Sequence, residues 1–326
     1  MKIAILACPE VPVPPKGYGG AQRIVDIMVT QLVKRDHEID LYAGPGSTSP
    51  ATNLCLIKDK HMTSEKQLFG ELIENYHKYD CVIDHSANHL AGLYFFKKVL
   101  SIMGGDPFFK YNLEEVKNKV FKSPEFAVYC GYLDHPILRN PVCNEPEKIH
   151  LGTGNGGYAL YVGVIHPMKG LHIAAEACYK LKIPFKIAGI FRTETKRYLR
   201  ALQKVFNNVE YVGELTDKGR TEIFNNATVF LHPTRVCDCE PTSPKEAMLH
   251  GTPVVATPLG GINSTIDVGV SGMFAVTVDD FVKTIPEAIK LDRSLVRENI
   301  LKKININNYT NALEALCVKV KDGLIW

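Results

Sequence analysis

Residues 230–261 read FLHPTRVCDCEPTSPKEAMLHGTPVVATPLGG, a stretch rich in side chains that can do chemistry. Asp238 and Glu240 lie in a loop dense in Pro and Cys, placed for a partner that is polar or becomes cationic. Ser243-Pro244-Lys245-Glu246 reads as a helix start, with Ser at the N-cap, Pro at the first helical position and Glu three after the cap. A helix N-terminus carries unpaired N–H groups and partial positive charge, which suits an anion such as a diphosphate. Leu259, Gly260 and Gly261 turn the chain away from the strand that follows this helix. Cys237 and Cys239 lack a second ligand pair at zinc spacing, so no metal site is expected there. Farther forward, Gly19-Gly20 would let a ligand approach the backbone, although the dinucleotide spacing G-x-G-x-x-G is not matched. Each feature has a plainer alternative. Glu246 could only cap its helix, Lys169-Gly170 could be a solvated turn, and the loop acids could face water.

The elements that must position these residues alternate regularly. Strand 2–7, a Pro/Gly loop 9–20, helix 21–34 and strand 39–43 open a doubly wound α/β domain, whose ligands bind at the carboxyl ends of the strands. Helix 65–78 and strand 81–83 follow, with Asp84-His85-Ser86 just past the strand end. The apolar run 87–103 reads as a packed helix, and 123–140 as short strands and loops. The glycine-rich run 151–157, LGTGNGG, is the best linker, after which the alternation restarts. Strands are expected at 160–163, 185–189, 209–213, 229–232 and 253–256. Helices are expected at 171–181, 194–206, 219–226, from 243 to near 251, and at 281–291, 295–304 and 311–321. The second half is therefore a second parallel-sheet domain.

With 326 residues, 45% hydrophobic and 22% charged, the chain fits a soluble protein of two ordinary domains. Its net charge of +3 argues against a dedicated nucleic-acid binder. The opening MKIAILA is too short and too soon broken by Pro9 for a signal peptide, and no run reaches the length of a membrane span. Nine scattered cysteines point to a reducing cytosol, leaving a cytoplasmic protein, with or without peripheral attachment to a membrane.

Taken together the motifs resemble the retaining glycosyltransferases of family 4, which have the two-domain GT-B architecture. The residues that carry the likeness are YGGAQRIV (18–25), DHS (84–86), YVGVIHPMKGLHIAAEA (161–177), FKIAG (185–189), VEYVGEL (209–215) and EAMLHGTPVVATPLGG (246–261). The resemblance implies two Rossmann-like domains facing a central cleft: an acceptor-side domain over 1–152, a nucleotide-sugar domain over 158–305, and a helix over 306–326 crossing back to the first. It implies a nucleotide-sugar donor of UDP or GDP type, a glycan, lipid or small-molecule acceptor, and neither metal nor cofactor. By the same resemblance Gly19 and Gly20 approach the donor phosphates, His85 lies near the transferring sugar and Lys169 faces the diphosphate. Tyr211, Val212 and Gly213 border the base, Glu246 binds the donor ribose as second acid of an E-x7-E motif, and Leu259, Gly260 and Gly261 lie near the pocket.

Two departures stand out. Val164 occupies the place of the family's usual Arg, for which His166 or Arg235 could substitute. Counting back from Glu246 with seven intervening residues lands on Asp238, whereas the Glu-Pro typical of the first motif acid is Glu240-Pro241. In the implied mechanism, Lys169, glycine N–H groups and helix dipoles meet the charge on the leaving diphosphate, and Asp238 or Glu240 the charge on the sugar ring. The departure at Val164 keeps open a non-catalytic sugar-nucleotide-binding or partner subunit. A sugar-nucleotide epimerase or hydrolase of the same architecture fits residues 230–261 less well.

Overall fold

The computed structural model describes residues 1–57, 65–95, 97–104, 113–191 and 193–326. Strands and helices follow in the order β1 (Lys2–Ala7), α1 (Gly20–Val33), β2 (Glu38–Ala43), β3 (Asn53–Leu56), α2 (Glu65–Asn75), β4 (Cys81–His85), α3 (Leu90–Tyr94), β5 (Val99–Met103), β6 (Lys119–Phe121) and α4 (Pro124–Tyr129). Then come β7 (Ala159–Val162), α5 (Leu171–Leu181), β8 (Phe185–Ala188), α6 (Lys196–Val205), β9 (Val209–Gly213), α7 (Asp217–Asn226), β10 (Val229–His232) and α8 (Thr242–Leu249). The last are β11 (Val254–Ala256), β12 (Gly272–Phe274), α9 (Val278–Ile289), α10 (Arg293–Lys303) and α11 (Ile306–Lys321). The chain forms two compact units, Met1–Asn144 with Asn305–Trp326, and Glu145–Ile304.

Among the described residues, each unit is built on a parallel six-stranded sheet, ordered β3-β2-β1-β4-β5-β6 in the first and β12-β11-β10-β7-β8-β9 in the second. Parallel strands are covered on both faces, so they read as continuous apolar runs rather than alternating ones. In β1, Ile3, Ile5 and Ala7 join a core with Ile24 and Met28 of α1 and Leu313, Cys317 and Val320 of α11. The alternate residues Ala4 and Leu6 pack with Leu68 and Leu72 of α2. In the second unit, Ala159 and Tyr161 of β7 pack with Leu171, Ala174 and Cys178 of α5 and Phe281 and Ile285 of α9. Both sheets turn outward in opposite directions from one strand pair, β1/β4 and β10/β7, which makes those pairs the topological switch points.

Several expectations need correction. The run 87–103 is no single helix. It forms the short α3, passes Lys98 at φ 64° and becomes β5, whose five residues are all buried. A continuous apolar run has no period to distinguish a buried strand from a buried helix. Strands β3 and β12 were not expected, and within 123–140 the helix α4 stands where strands and loops were expected. Helix 65–78 is α2 followed by a 3-10 turn at Tyr76–Lys78, and β4 runs on through Asp84 and His85, which pair with Leu6 and Ala7.

The helices expected from 281, 295 and 311 begin earlier, each at a capping side chain. The hydroxyl of Thr277 accepts from Asp280 N, the carboxylate of Asp292 from Ser294 N at 2.7 Å, and the side chain of Asn305 from Asn308 N at 3.0 Å. The boundary between units falls after Asn144, not in the glycine run 151–157. Those glycines are fixed in the second unit. Gly152 N donates to His250 O at 2.9 Å, Gly154 N to Asn225 O at 2.9 Å and Gly156 N to Asn226 O at 2.8 Å. Arg293 secures the same segment through Nε to Gly152 O at 3.0 Å and Nη2 to His250 O at 3.0 Å. Within 45–62 and 104–140, stretches whose sequence carries no readable code for an acceptor, residues 58–62 and 105–112 lie outside the described residues.

Candidate active site

The second unit's switch point brings together the loops that leave β7 and β10. Gly170 lies at φ 68°, and a Cβ there would sit 1.8 Å from Pro233 O, so only glycine lets the two loops touch. Arg235 N completes the junction by donating to Met168 O at 2.8 Å. Across it, Lys169 Nζ donates to Asp238 Oδ2 at 2.6 Å, and His232 Nε2, at the end of β10, lies 3.5 Å from the same oxygen. Burial alone would raise the Asp238 pKa. The Lys169 ammonium and His232 override it and hold the carboxyl well below the usual range. Asp238 is thus a fixed carboxylate beside a fixed ammonium, both about one-fifth exposed, at 22% and 23%.

Gly260 locks this acid from the next loop. It sits at φ 79° with a would-be Cβ 2.0 Å from Asp238 O, and Gly261 N donates to Asp238 O at 2.9 Å. The Gly261 N–H is therefore engaged within the protein, while Leu259 is exposed at the rim.

Glu240 behaves differently from Asp238. Its carboxylate is wholly buried and accepts from Lys245 Nζ, itself 2% exposed, on the first turns of α8. A bend at Cys239 separates the two acids. Helix α8 begins at Thr242 with Pro241 at the N-cap, so Ser243 lies inside the helix and is not its cap. The φ of −70° that proline imposes suits a residue entering a helix. Glu246 consequently caps nothing. Its carboxylate accepts from Arg220 of α7, Nε to Oε1 at 3.3 Å and Nη2 to Oε2.

Tyr211, Val212 and Gly213 end β9, and Tyr211 Oη donates to Gly189 O, after β8, at 2.8 Å. Val164 is half-buried and its carbonyl accepts from Tyr161 Oη at 2.9 Å. His166 Nδ1 accepts from Met168 N at 3.2 Å, capping the 3-10 turn that presents Lys169. Arg235 is exposed beside that turn. Burial lowers the His172 pKa first, and the Arg235 charge lowers it further.

In the first unit Gly19 is the N-cap residue of α1, Gly20 its first residue, and Gly19 packs on Pro15. His85 ends β4, opposite Ala7 of β1, at that unit's switch point. It is 5% exposed, and its Nε2 finds no hydrogen-bond partner among the described residues. Burial pushes its pKa well below the ordinary imidazole value, with Lys122 and His89 adding in the same sense, so it is neutral. The buried Asp84 beside it shapes the loop by accepting from Ser86 Oγ at 2.6 Å and Gly92 N at 3.1 Å.

Within the second unit the structure thus joins Lys169 and Asp238 directly and ties Gly260 and Gly261 to them. Glu240 faces the interior, and Glu246 faces Arg220. His232, Arg220 and Lys245 were missed. Only His232 carried a signal, its position at a strand's carboxyl end.

Comparison with known proteins bears on this arrangement. Residues 156–291 match the family model described as Glycosyl transferases group 1. The D-rhamnosyltransferase WbpZ of Pseudomonas aeruginosa is 25% identical over 112 residues, a stretch spanning 34% of this chain and 29% of that protein. Among solved structures, AviGT4, a glycosyltransferase involved in avilamycin A biosynthesis, is similar with a TM-score of 0.81 at 21% identity, over 100% of this chain and 99% of that one. HepE from Anabaena, solved in complex with UDP, gives a TM-score of 0.76 at 14% identity, over 98% and 100% of the two chains. These likenesses establish the fold as GT-B, two parallel-sheet Rossmann-like domains.

Proposed function

We propose that this protein is a retaining glycosyltransferase that moves a sugar from a UDP- or GDP-type nucleotide sugar to an acceptor hydroxyl without a metal. The observation that carries the reading is the Lys169–Asp238–His232 cluster at the switch point of a group 1 glycosyl transferase segment. Ligands of open parallel sheets bind at such points. Lys169, with the exposed Arg235 standing in for the arginine absent at Val164, meets the negative charge that grows on the leaving diphosphate. Asp238, ionised at any working pH, orients the donor sugar or stabilises its oxocarbenium-like transition state. Glu240, sealed against Lys245, supports the loop rather than the sugar. Glu246 binds the donor ribose, and Tyr211, Val212 and Gly213 border the base. On the first unit Gly19 and Gly20 approach the phosphates. The neutral His85 offers a hydrogen bond near the transferring sugar, and acceptor recognition belongs to this unit. A glycan, lipid or small-molecule hydroxyl is the acceptor. The leaving phosphate oxygen takes its proton, so no side-chain base is required. The described residues contain no helix long and apolar enough to cross a membrane, and we place the protein in the cytoplasm, free or peripherally attached.

Val164 favours a second reading, a sugar-nucleotide-binding subunit without turnover. A panel of UDP- and GDP-sugars, assayed for nucleoside diphosphate release with candidate acceptors and with EDTA, separates the two. Release that survives EDTA, with the product's anomeric configuration retained by NMR, is the expected result. Donor binding that raises the melting temperature without any release would select the second reading. Failure of every donor to bind would overturn both.

A further inference from the structure

Glu246 is not held as a helix-capping acid would be. It sits in the second turn of α8, a helix whose N-cap is Pro241 and makes no side-chain cap bond. What holds it comes from another helix. Arg220, on α7, reaches it with Nε and Nη2, one nitrogen to each carboxylate oxygen. This two-pronged geometry fixes the plane of the carboxylate as well as its position. Both side chains are mostly covered, at 16% and 20% exposure, and the guanidinium also lies 5.8 Å from the Phe224 ring centroid. Phe224 is buried and stacks on Phe230 of β10, so the guanidinium rests on a rigid base.

We propose that Arg220 is a positioning residue that aims the Glu246 carboxylate at a ribose hydroxyl, and so sets the preference for ribonucleotides over deoxyribonucleotides. The inference rests on the assignment of Glu246 to the donor ribose. A carboxylate has about four lone-pair sites, two per oxygen. Arg220 engages one on each oxygen, along one edge. Each oxygen keeps one further lone pair, pointing away from Arg220 and from its counterpart, and one of these accepts from a ribose hydroxyl. Without the arginine the carboxylate can rotate about its last torsion, and a bound ribose must itself order it.

The test measures UDP and GDP binding by calorimetry, then the 2′-deoxy and 3′-deoxy forms of whichever nucleotide binds. The proteins are the wild type, Arg220→Gln, Arg220→Lys and Glu246→Gln. The wild type should prefer the ribonucleotide by roughly tenfold or more, the size expected for hydrogen bonds to a charged acceptor. Glu246→Gln should reduce that preference to about threefold or less, and Arg220→Gln should match it, with Arg220→Lys in between. A merely structural arginine would lower the melting temperature and leave the ratio unchanged. A wild-type ratio retained in Arg220→Gln overturns the inference while leaving the ribose assignment intact. A ratio unaffected by Glu246→Gln, or no binding by the wild type, overturns the ribose assignment and the inference with it. If Arg220→Gln does not fold, Arg220→Lys decides: its ratio must fall below that of the wild type.

Discussion

Two acid–lysine pairs stand two residues apart in one loop, and they do opposite things. Asp238 reaches back to Lys169 on a neighbouring loop, and both partners keep about one-fifth of their surface. Glu240 reaches forward to Lys245 on α8, and both partners are sealed from water. The first pair can exchange partners with a ligand, since solvent already reaches it. The second cannot, because breaking it strands a charge in the interior, where desolvation is severe. Exposure, and not charge or spacing, separates the acid a ligand could reach from the one sealed in the interior.

The comparison can be broken most decisively at Glu240. Glu240→Gln should cost on the order of 3–5 kcal/mol in urea unfolding, because Lys245 is left buried without its counter-charge. Glu240→Leu combined with Lys245→Met should recover most of that loss, since an apolar pair removes the buried charges together. Asp238→Asn should cost clearly less than Glu240→Gln, since water reaches its pair with Lys169. Equal destabilisation at the two acids would erase the distinction.

Turnover should show the reverse order. Lys169→Ala is expected to lower kcat by about a hundredfold, the loss of one preorganised contact to developing charge, with the melting temperature little changed. Arg235→Gln should have a smaller effect, weakening nucleoside diphosphate binding about tenfold while leaving nucleoside binding alone, as loss of a charge-assisted contact would. Val164→Arg in that background should restore affinity. If Arg235→Gln binds like the wild type, Arg235 does not replace the arginine missing at Val164.

A pH dependence tests a third place in the second unit. His250 is buried against Phe224, with Nδ1 2.8 Å from Asn225 Oδ1, and burial pushes its pKa from 6.5 down to about 4. Between these values the unfolded chain takes up a proton that the folded chain refuses, so stability falls as pH drops from 6.5 to about 4. Chemical denaturation across that window should be flatter for His250→Gln. A variant curve parallel to the wild type would show that this imidazole is not a source of the slope.

Much of this was legible in the residues. Strands β1, β2 and β4 and helices α1 and α5 follow from unbroken or 3.6-periodic apolar patterns, and the glycine and lysine motifs pointed to the strand ends. The miss at 87–103 has a local cause: α3 is only five residues long, and β5 is apolar on both faces, so neither shows a period. The starts of α9, α10 and α11 were readable in Thr277, Asp292 and Asn305, but the apolar pattern drew the eye past them. For the glycine run 151–157, composition suggested a linker, whereas its hydrogen bonds to 225, 226 and 250 fix it within the second unit.

By itself the sequence determined two parallel α/β halves and the reactive groups at their strand ends, because backbone periodicity and turn chemistry act over a few residues. Which acid meets water and which is sealed was decided only by the tertiary structure. So was the fact that Glu246 is governed by Arg220, 26 residues before it. Those outcomes depend on where separate loops and helices come to rest against one another, and on how much water that packing leaves beside each charge.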